Sequence, residues 1–198
     1  MNVQEATTRR LPDLKERHLP ENCRETINTI LKETYGYEQF RNLEIYDDLS
    51  KGKEKLCISQ GQLIENVILE AEKAWKGETQ VDNILLTAPT GSGKSLLFQL
   101  PAIYLGKEYN LLTIVVSPLK ALIVDQVESL QELGYTRVAY ASSDLSPEQK
   151  MEVYRQVREG EIDLFYLSPE LLLSYDIKHF VGERRIGLVA VNANNGKL

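Results

Sequence analysis

Apolar residues follow one spacing before residue 83 and another spacing after it. In residues 23–36 and 60–77 they recur every three or four positions, as in amphipathic helices, and each stretch ends on a glycine that suits a helix C-cap. Further along the chain, short β-branched runs alternate with amphipathic stretches. This change predicts a mainly helical segment over residues 1–82 and an alternating α/β domain over residues 83–198.

Five apolar runs in the second part predict the strands of a parallel sheet. The runs are residues 83–88, 111–117, 137–142, 163–168 and 186–191. Helical stretches lie between them, and the one over residues 146–158 opens with Ser146 as N-cap and Pro147 at the first helical position. Strand–helix–strand crossovers give a parallel sheet covered on both faces, so we expect a three-layer α/β/α sandwich with ligands at the carboxyl ends of its strands.

Composition excludes some classes of protein and leaves others open. No stretch of the 198 residues is apolar enough for a membrane span, so we expect a cytoplasmic, nucleoid-associated or nuclear protein. The net charge of −6 means that any nucleic acid must be bound by a local patch rather than by overall charge. Cys23 and Cys57 lack the spacing of zinc ligands.

The segment APTGSGKS, residues 88–95, fits a relaxed phosphate-loop (Walker A) pattern between a predicted strand and a predicted helix. Gly91 and Gly93 would let backbone N–H groups converge on a phosphate, while Lys94 would add positive charge and Ser95 a hydroxyl for Mg²⁺. The predicted catalytic residues are Lys94 and Ser95, and Ser95 is the predicted metal ligand. The predicted nucleotide-binding residues here are Thr90, Gly91, Ser92, Gly93, Lys94, Ser95 and Leu96. The pattern alone does not separate kinases, GTPases, transporters and helicases.

Further segments carry a family resemblance. These are APTGSGKSLLFQLPAIYL, TIVVSPLKALIVDQVESLQELG, SSDLSPEQKMEVYRQVREGEIDLFYLSPELLL and RIGLVAV. In this order and at these distances they resemble the first motor domain of RecQ-like superfamily 2 DNA helicases, over residues 83–191. The resemblance implies a RecA-like P-loop NTPase fold that binds ATP and Mg²⁺. For the parent protein it implies an ATP-dependent DNA helicase, a hydrolase of ATP that binds single-stranded and duplex DNA.

In that family two motifs hold the backbone of single-stranded DNA, and SPLKALIVDQ and YLSPELLL are similar to them. The resemblance implies DNA contacts at Ser117, Pro118, Leu119, Lys120, Gln126 and Ser168. Hydroxyl, lysine and backbone N–H groups at a helix start are suited to phosphate contacts that do not read bases. The alternative is that Ser117 and Pro118 only end a strand and begin a helix.

The family also has an adenine-recognition segment of aromatic–Gly–aromatic, then Phe-Arg, then Gln. YGYEQFR, residues 35–41, resembles its opening, but Glu44 stands where Gln is expected. Either Gln60 or Gln62 could supply the amide if an insertion of about twenty residues splits the motif. The resemblance then implies adenine contacts from Tyr37, Arg41 and Gln60, by stacking and by amide pairing that favours ATP over GTP. A solvated polar residue at a helix start is the alternative for Gln60.

The family continues its last strand into Asp-Glu-x-His, whereas this sequence has Asn192 and Ala193 at the acidic positions. Without that acid pair we expect poor ATP hydrolysis. The NANNGKL end reads either as a truncation or junction or as natural degeneracy, and a second RecA-like domain is expected to be missing. Two other functions stay open: a degenerate nucleotide- or partner-binding module, and a P-loop phosphotransferase.

Overall fold

The computed structural model describes residues 17–46, 55–86 and 91–192. The chain divides into two compact units, Met1–Pro101 and Ala102–Leu198. The predicted domain boundary after residue 82 stays a prediction. Within the described ranges, no helix combines the length and the apolar character that crossing a membrane requires.

The first unit contains two helices joined by a β-hairpin. Its elements are α1 (Glu21–Tyr35), β1 (Asn42–Tyr46), β2 (Lys55–Ser59) and α2 (Gln60–Trp75). β1 and β2 pair in antiparallel fashion. As predicted, α1 ends on Gly36, whose φ of 69° is left-handed and suits glycine. α2 begins with a capping box, because the Ser59 hydroxyl and the Gln62 side chain each accept a backbone N–H of the first turn.

A buried carboxylate joins α2 to the chain on either side of it. Glu70 is 4% exposed, and it accepts from Arg17 at 2.6 Å and from Lys73 at 3.0 Å. It also accepts from the backbone N–H of Asp82 at 2.9 Å. Burial raises the pKa of Glu70, but these three hydrogen bonds outweigh burial and place the pKa below its usual range. One charged group thus stabilises three segments of this unit.

The predicted strand over residues 83–88 is wrong in its described part. Residues 83–86 form neither helix nor strand, and Ile84 and Leu85 are 42% and 88% exposed. An apolar run becomes a strand only where a neighbouring strand satisfies its backbone groups, and in the described part of this unit β1 pairs with β2 alone. The remaining two residues of this run lie outside the described residues.

The other predicted strands form one parallel sheet in the second unit. After α3 (Leu96–Tyr109), which begins in the first unit, the elements are β3 (Leu112–Val116), α4 (Lys120–Glu132), β4 (Val138–Ala141), α5 (Pro147–Glu159), β5 (Leu164–Leu167), α6 (Pro169–Ser174), α7 (Ile177–Val181) and β6 (Ile186–Val191). The strand order is β4-β5-β3-β6, and every pair is parallel. The predicted α/β class is confirmed. The Ser146 capping box and Pro147 begin α5 as predicted.

The core of the second unit is built on β3 and β5, all of whose residues are buried. On one face Phe165 packs with Tyr154 of α5 and Phe180 of α7, and the last two rings meet edge to face at 5.1 Å. α4 lies beside β4 and buries its own apolar stripe, which includes Ile123 and Val127. β6 lies at the edge and is only partly covered.

A charged cluster closes the amino-terminal edge of this sheet. Asp163, 2% exposed, immediately precedes β5 and accepts from Arg137 at 2.6 Å, from Arg184 at 3.0 Å and from the Tyr135 hydroxyl at 3.0 Å. Gly106 of α3 passes so close that an added Cβ would lie 2.3 Å from the Asp163 carboxyl carbon. The cluster is therefore a packed base of the sheet, at the edge opposite the carboxyl ends.

Candidate nucleotide and nucleic-acid sites

The phosphate loop, described from Gly91 onward, has the backbone that a phosphate cradle needs. Gly91 has φ +81° and Gly93 has φ +77°, conformations that side chains disfavour. Lys94 and Ser95 follow directly before α3. Their carbonyl groups accept backbone hydrogen bonds from its first turn, at 3.0 Å from Leu97 and 3.2 Å from Phe98. The loop thus delivers both side chains to a helix N-terminus, where backbone N–H groups favour anions.

The loop also contains a polar atom that a ligand could satisfy. The hydroxyl of Ser92 is buried and has no hydrogen-bond partner among the described residues. A buried polar group without a partner costs free energy, so such groups are typical of ligand sites. The residues present therefore fit a bound phosphate. The role of Thr90 stays a prediction, because Thr90 lies outside the described residues.

Gln60 braces this loop from the first turn of α2. Its side-chain nitrogen donates to the carbonyl oxygens of Ser92 and Gly93, each at 3.3 Å. Its side-chain oxygen accepts from the backbone N–H of Arg41 at 3.1 Å. Gln60 is 2% exposed, so the alternative of a solvated residue is wrong. Gln62 instead caps α2 through Ser59.

The hairpin explains how the two halves of the adenine segment meet. Residues 42–59 run out along β1 and back along β2, so that the backbone N–H of Gln60 donates to the carbonyl of Arg41 at 2.9 Å. Glu44, which stands where the family has Gln, lies in β1 opposite Cys57. Arg41 and Gln60, nineteen positions apart in the sequence, are therefore backbone neighbours.

Aromatic rings lie on the Arg41 side of this junction. The Arg41 guanidinium lies 5.7 Å from the centre of the Tyr37 ring, and Tyr37 stacks on Tyr35 with centroids 6.4 Å apart. The Tyr35 hydroxyl donates to Gln99 of α3 at 3.4 Å. Tyr37 is 47% exposed and offers apolar surface to a ring. Sequence analysis missed the Tyr35–Gln99 contact. The adenine contacts of Tyr37, Arg41 and Gln60 stay predictions.

Three serines stand side by side at the carboxyl ends of adjacent strands in the second unit. Ser142, Ser168 and Ser117 directly follow β4, β5 and β3, whose last residues are in register with each other. All three are buried, and we call them the serine row. The Ser117 hydroxyl is buried without a partner among the described residues, whereas the Ser168 hydroxyl caps α6 by accepting from Leu171 at 3.3 Å.

The remaining predicted DNA residues follow Ser117 along the chain. Leu119 is the N-cap of α4 and is 49% exposed, Lys120 begins that helix, and Gln126 lies in its middle. Pro118 separates Leu119 from the serine row. Sequence analysis missed Ser142, although its position directly after a predicted strand was a signal that could have found it.

Comparison with known proteins identifies the family. The model of the DEAD/DEAH box helicase family matches residues 61–191. The chain belongs to the DEAD/DEAH box helicase family. The predicted RecQ-like resemblance and the RecA-like α/β fold are both confirmed.

Named relatives of this helicase-family chain are longer proteins. It is 32% identical over 168 residues to an ATP-dependent DNA helicase RecQ of Synechocystis sp., with 85% of this chain and 28% of that protein covered. It is 30% identical over 164 residues to the RecQ helicase of Bacillus subtilis, covering 83% and 22%. It is 31% identical over 169 residues to the ATP-dependent DNA helicase Q-like 5 of Arabidopsis thaliana, covering 85% and 15%. The chain spans less than a third of each relative.

Proposed function

We propose that this chain is the ATP-binding motor domain of an ATP-dependent, RecQ-like DNA helicase. It holds ATP and Mg²⁺ on the phosphate loop and the backbone of single-stranded DNA along the serine row. The observation that carries the proposal is the loop itself: two left-handed glycines, and a buried Ser92 hydroxyl that has no partner within residues 17–46, 55–86 and 91–192, at the start of a helix. The names of its relatives support DNA as the substrate.

In this proposal each loop residue has a separate task. Backbone N–H groups at Gly91 to Lys94 surround the phosphates, the Lys94 ammonium neutralises the β and γ phosphates, and the Ser95 hydroxyl is a ligand for Mg²⁺. When bound, Mg²⁺ would supply positive charge that favours hydrolysis of the nucleotide. Asn192, at the end of β6, cannot supply the anionic charge of the family's Asp, so we expect slow hydrolysis.

Calorimetric titration with ATP and Mg²⁺ tests the nucleotide site. Wild-type protein should release binding heat, and Lys94→Ala should abolish it while leaving the circular dichroism spectrum unchanged. Lys107→Ala is the matched control, because it removes the same charge from an exposed position near the end of α3. Equal heats from the wild type and Lys94→Ala would refute the nucleotide site.

Fluorescence anisotropy with a labelled oligo-dT tests the DNA site. We expect weak, strongly salt-dependent binding, because phosphate contacts act through counterion release. Ser117→Ala should weaken it without lowering stability, since the Ser117 hydroxyl has no partner to lose within the described residues. Unwinding is proposed to need a second motor domain, because the two domains must open and close on nucleotide. ATP-dependent separation of DNA strands by this chain alone would contradict the proposed need for a second motor domain.

A further inference from the structure

A turn outside the predicted DNA motifs reaches across to Lys120. Asp144 lies in the turn between β4 and α5, and its Oδ1 accepts from the Lys120 ammonium at 2.9 Å. The Ser143 hydroxyl also accepts from that ammonium. The Lys120 and Asp144 side chains are 48% and 71% exposed, so solvent and other ions reach both of them.

The turn holds its carboxylate in a defined position. The backbone N–H of Asp144 donates to the hydroxyl of Ser142 at 3.4 Å, and Ser142 is buried in the serine row. The hydrogen bond from Lys120 is the main cause that lowers the pKa of Asp144, with smaller contributions from Ser143 and from the charge of Lys150. Asp144 is therefore an ionised acceptor attached directly to the row that is proposed to contact phosphates.

A carboxylate oxygen and a phosphate oxygen are chemically similar partners for a lysine ammonium, since both are anionic acceptors that form charge-assisted hydrogen bonds. The Glu170 backbone N–H and the Ser168 hydroxyl lower the pKa of Glu170, and the charge of Lys120 adds a smaller effect in the same direction. The carboxylate that contacts the Lys120 ammonium directly is that of Asp144.

We propose that Asp144 competes with DNA phosphate for Lys120, so that single-stranded DNA binds only by displacing the Asp144 carboxylate. The inference rests on the proposed DNA site and deepens it: Asp144 sets the affinity and salt dependence of that site. In the DNA-free chain Asp144 keeps Lys120 in place, and in the complex a phosphate replaces it.

The exposure of the pair sets the size of the effect. Exposed ion pairs are weak, so removing Asp144 should raise DNA affinity about two- to fivefold and no more. Without Asp144, Lys120 gives up no internal ion pair when it binds a phosphate. Its phosphate contact then adds to the contacts that are made with net release of counterions. The slope of log K against log salt should therefore become steeper by up to about 0.7 for single-stranded DNA.

The test measures anisotropy of labelled oligo-dT with wild type, Asp144→Asn, Lys120→Ala and the double variant, across a salt series. Glu128→Gln is the control for net charge, because Glu128 is exposed on the same helix, two turns beyond Lys120. Asp144→Asn should raise the affinity for oligo-dT more than Glu128→Gln does. This extra gain should vanish in the double variant, in which Lys120 is replaced by Ala. Circular dichroism confirms that each variant is folded.

The outcomes separate the inference from the function on which it rests. If Asp144→Asn gains no more than Glu128→Gln, or keeps its gain in the Lys120→Ala background, while Lys120→Ala still weakens binding, then the competition is wrong and the DNA site stands. If Lys120→Ala binds oligo-dT as tightly as wild type, the DNA site itself is wrong, and the inference falls with it.

Discussion

The side-chain nitrogen of Gln60 donates to the carbonyl oxygen of Gly93 at 3.3 Å, across 33 residues of sequence. A Cβ on Gly93 would lie 2.6 Å from that nitrogen, so the contact depends on a residue without a side chain. The other end of the same amide accepts from Arg41. Gln60 therefore links the backbone at Arg41, in the predicted adenine segment, to the phosphate loop.

Gln60→Ala should weaken ATP·Mg²⁺ binding, because the loop loses two hydrogen bonds to one buried amide. Bonds between neutral groups contribute about 0.5–1.5 kcal/mol each, so two of them correspond to a loss of roughly five- to 160-fold in calorimetric Kd. Gln62→Ala is the control: it removes the α2 capping box and should cost about 1 kcal/mol of stability with little change in Kd. If Gln60→Ala and Gln62→Ala weaken ATP binding by the same factor, the hydrogen bonds from Gln60 to the loop do not support nucleotide binding.

The same variant separates bracing from adenine recognition. If Gln60 acts on the loop, Gln60→Ala should weaken ATP and GTP binding by similar factors, because both nucleotides carry the same phosphates. If Gln60 pairs with the N6 and N7 positions of adenine, the variant should lose its preference for ATP over GTP instead. Competition titrations with the two nucleotides measure this ratio directly.

Gly93→Ala should impair the loop more than Gly91→Ala. Both residues have positive φ, and a non-glycine residue there costs about 1–3 kcal/mol. Gly93 also faces Gln60, whereas a Cβ on Gly91 would meet no atom of the described residues within 4 Å. Combining Gly93→Ala with Gln60→Ala should therefore cost less ATP affinity than the sum of the two single losses. Strict additivity in this double-mutant cycle would show that the close approach is irrelevant.

The second unit could be largely predicted because its signals are local. β3 to β6 alternate with helices whose caps are read from a few neighbouring residues, such as Ser146 and Pro147 before α5. The glycine and lysine positions of the phosphate loop follow from the same kind of short pattern. Local pattern also led to the wrong strand over residues 83–86, since pairing depends on residues distant in sequence.

The contacts that were not predicted from the sequence join residues that are distant along the chain. Nothing in the spacing of Lys120 and Asp144, 24 residues apart, indicates that a turn after β4 reaches the start of α4. The adenine segment gave a partial signal, because the broken motif predicted an insertion, but only the structure shows that a hairpin returns Gln60 to Arg41. Such contacts depend on strand order, which local pattern does not determine.

The stability of the first unit should depend on the ionisation of Glu70. Its folded pKa lies below the usual value, so its contribution is complete above the pKa of the unfolded chain and is lost as pH falls through the folded pKa. Glu70→Gln should therefore be less stable than wild type at neutral pH, by about 1–3 kcal/mol, and this difference in unfolding free energy should narrow as the pH falls below the usual pKa of a glutamate side chain. Urea unfolding followed by circular dichroism measures the difference at each pH.

Glu25→Gln is the matched control for that experiment, because Glu25 is exposed on α1. The unfolding free energy of Glu25→Gln should lie within about 0.5 kcal/mol of the wild-type value at neutral pH and at acidic pH. A Glu70→Gln difference that stays constant with pH would mean that the side chain stabilises through packing rather than through charge.

Asp163 should be the most sensitive charged position in the second unit, because its carboxylate is buried beneath Arg184, whose side chain is only 5% exposed. Removing one partner of a buried pair leaves the other charge without compensation, which typically costs about 3–5 kcal/mol. Asp163→Ala should lose that much unfolding free energy in urea, whereas Asp125→Ala, on the exposed face of α4, should lose less than about 0.5 kcal/mol. Arg137→Ala should fall between them, since Arg137 is 45% exposed and water can replace part of its bonding. If Asp163→Ala unfolds at the same urea concentration as Asp125→Ala, the cluster contributes no net stability and the base of the sheet is held by Gly106 packing and apolar burial alone.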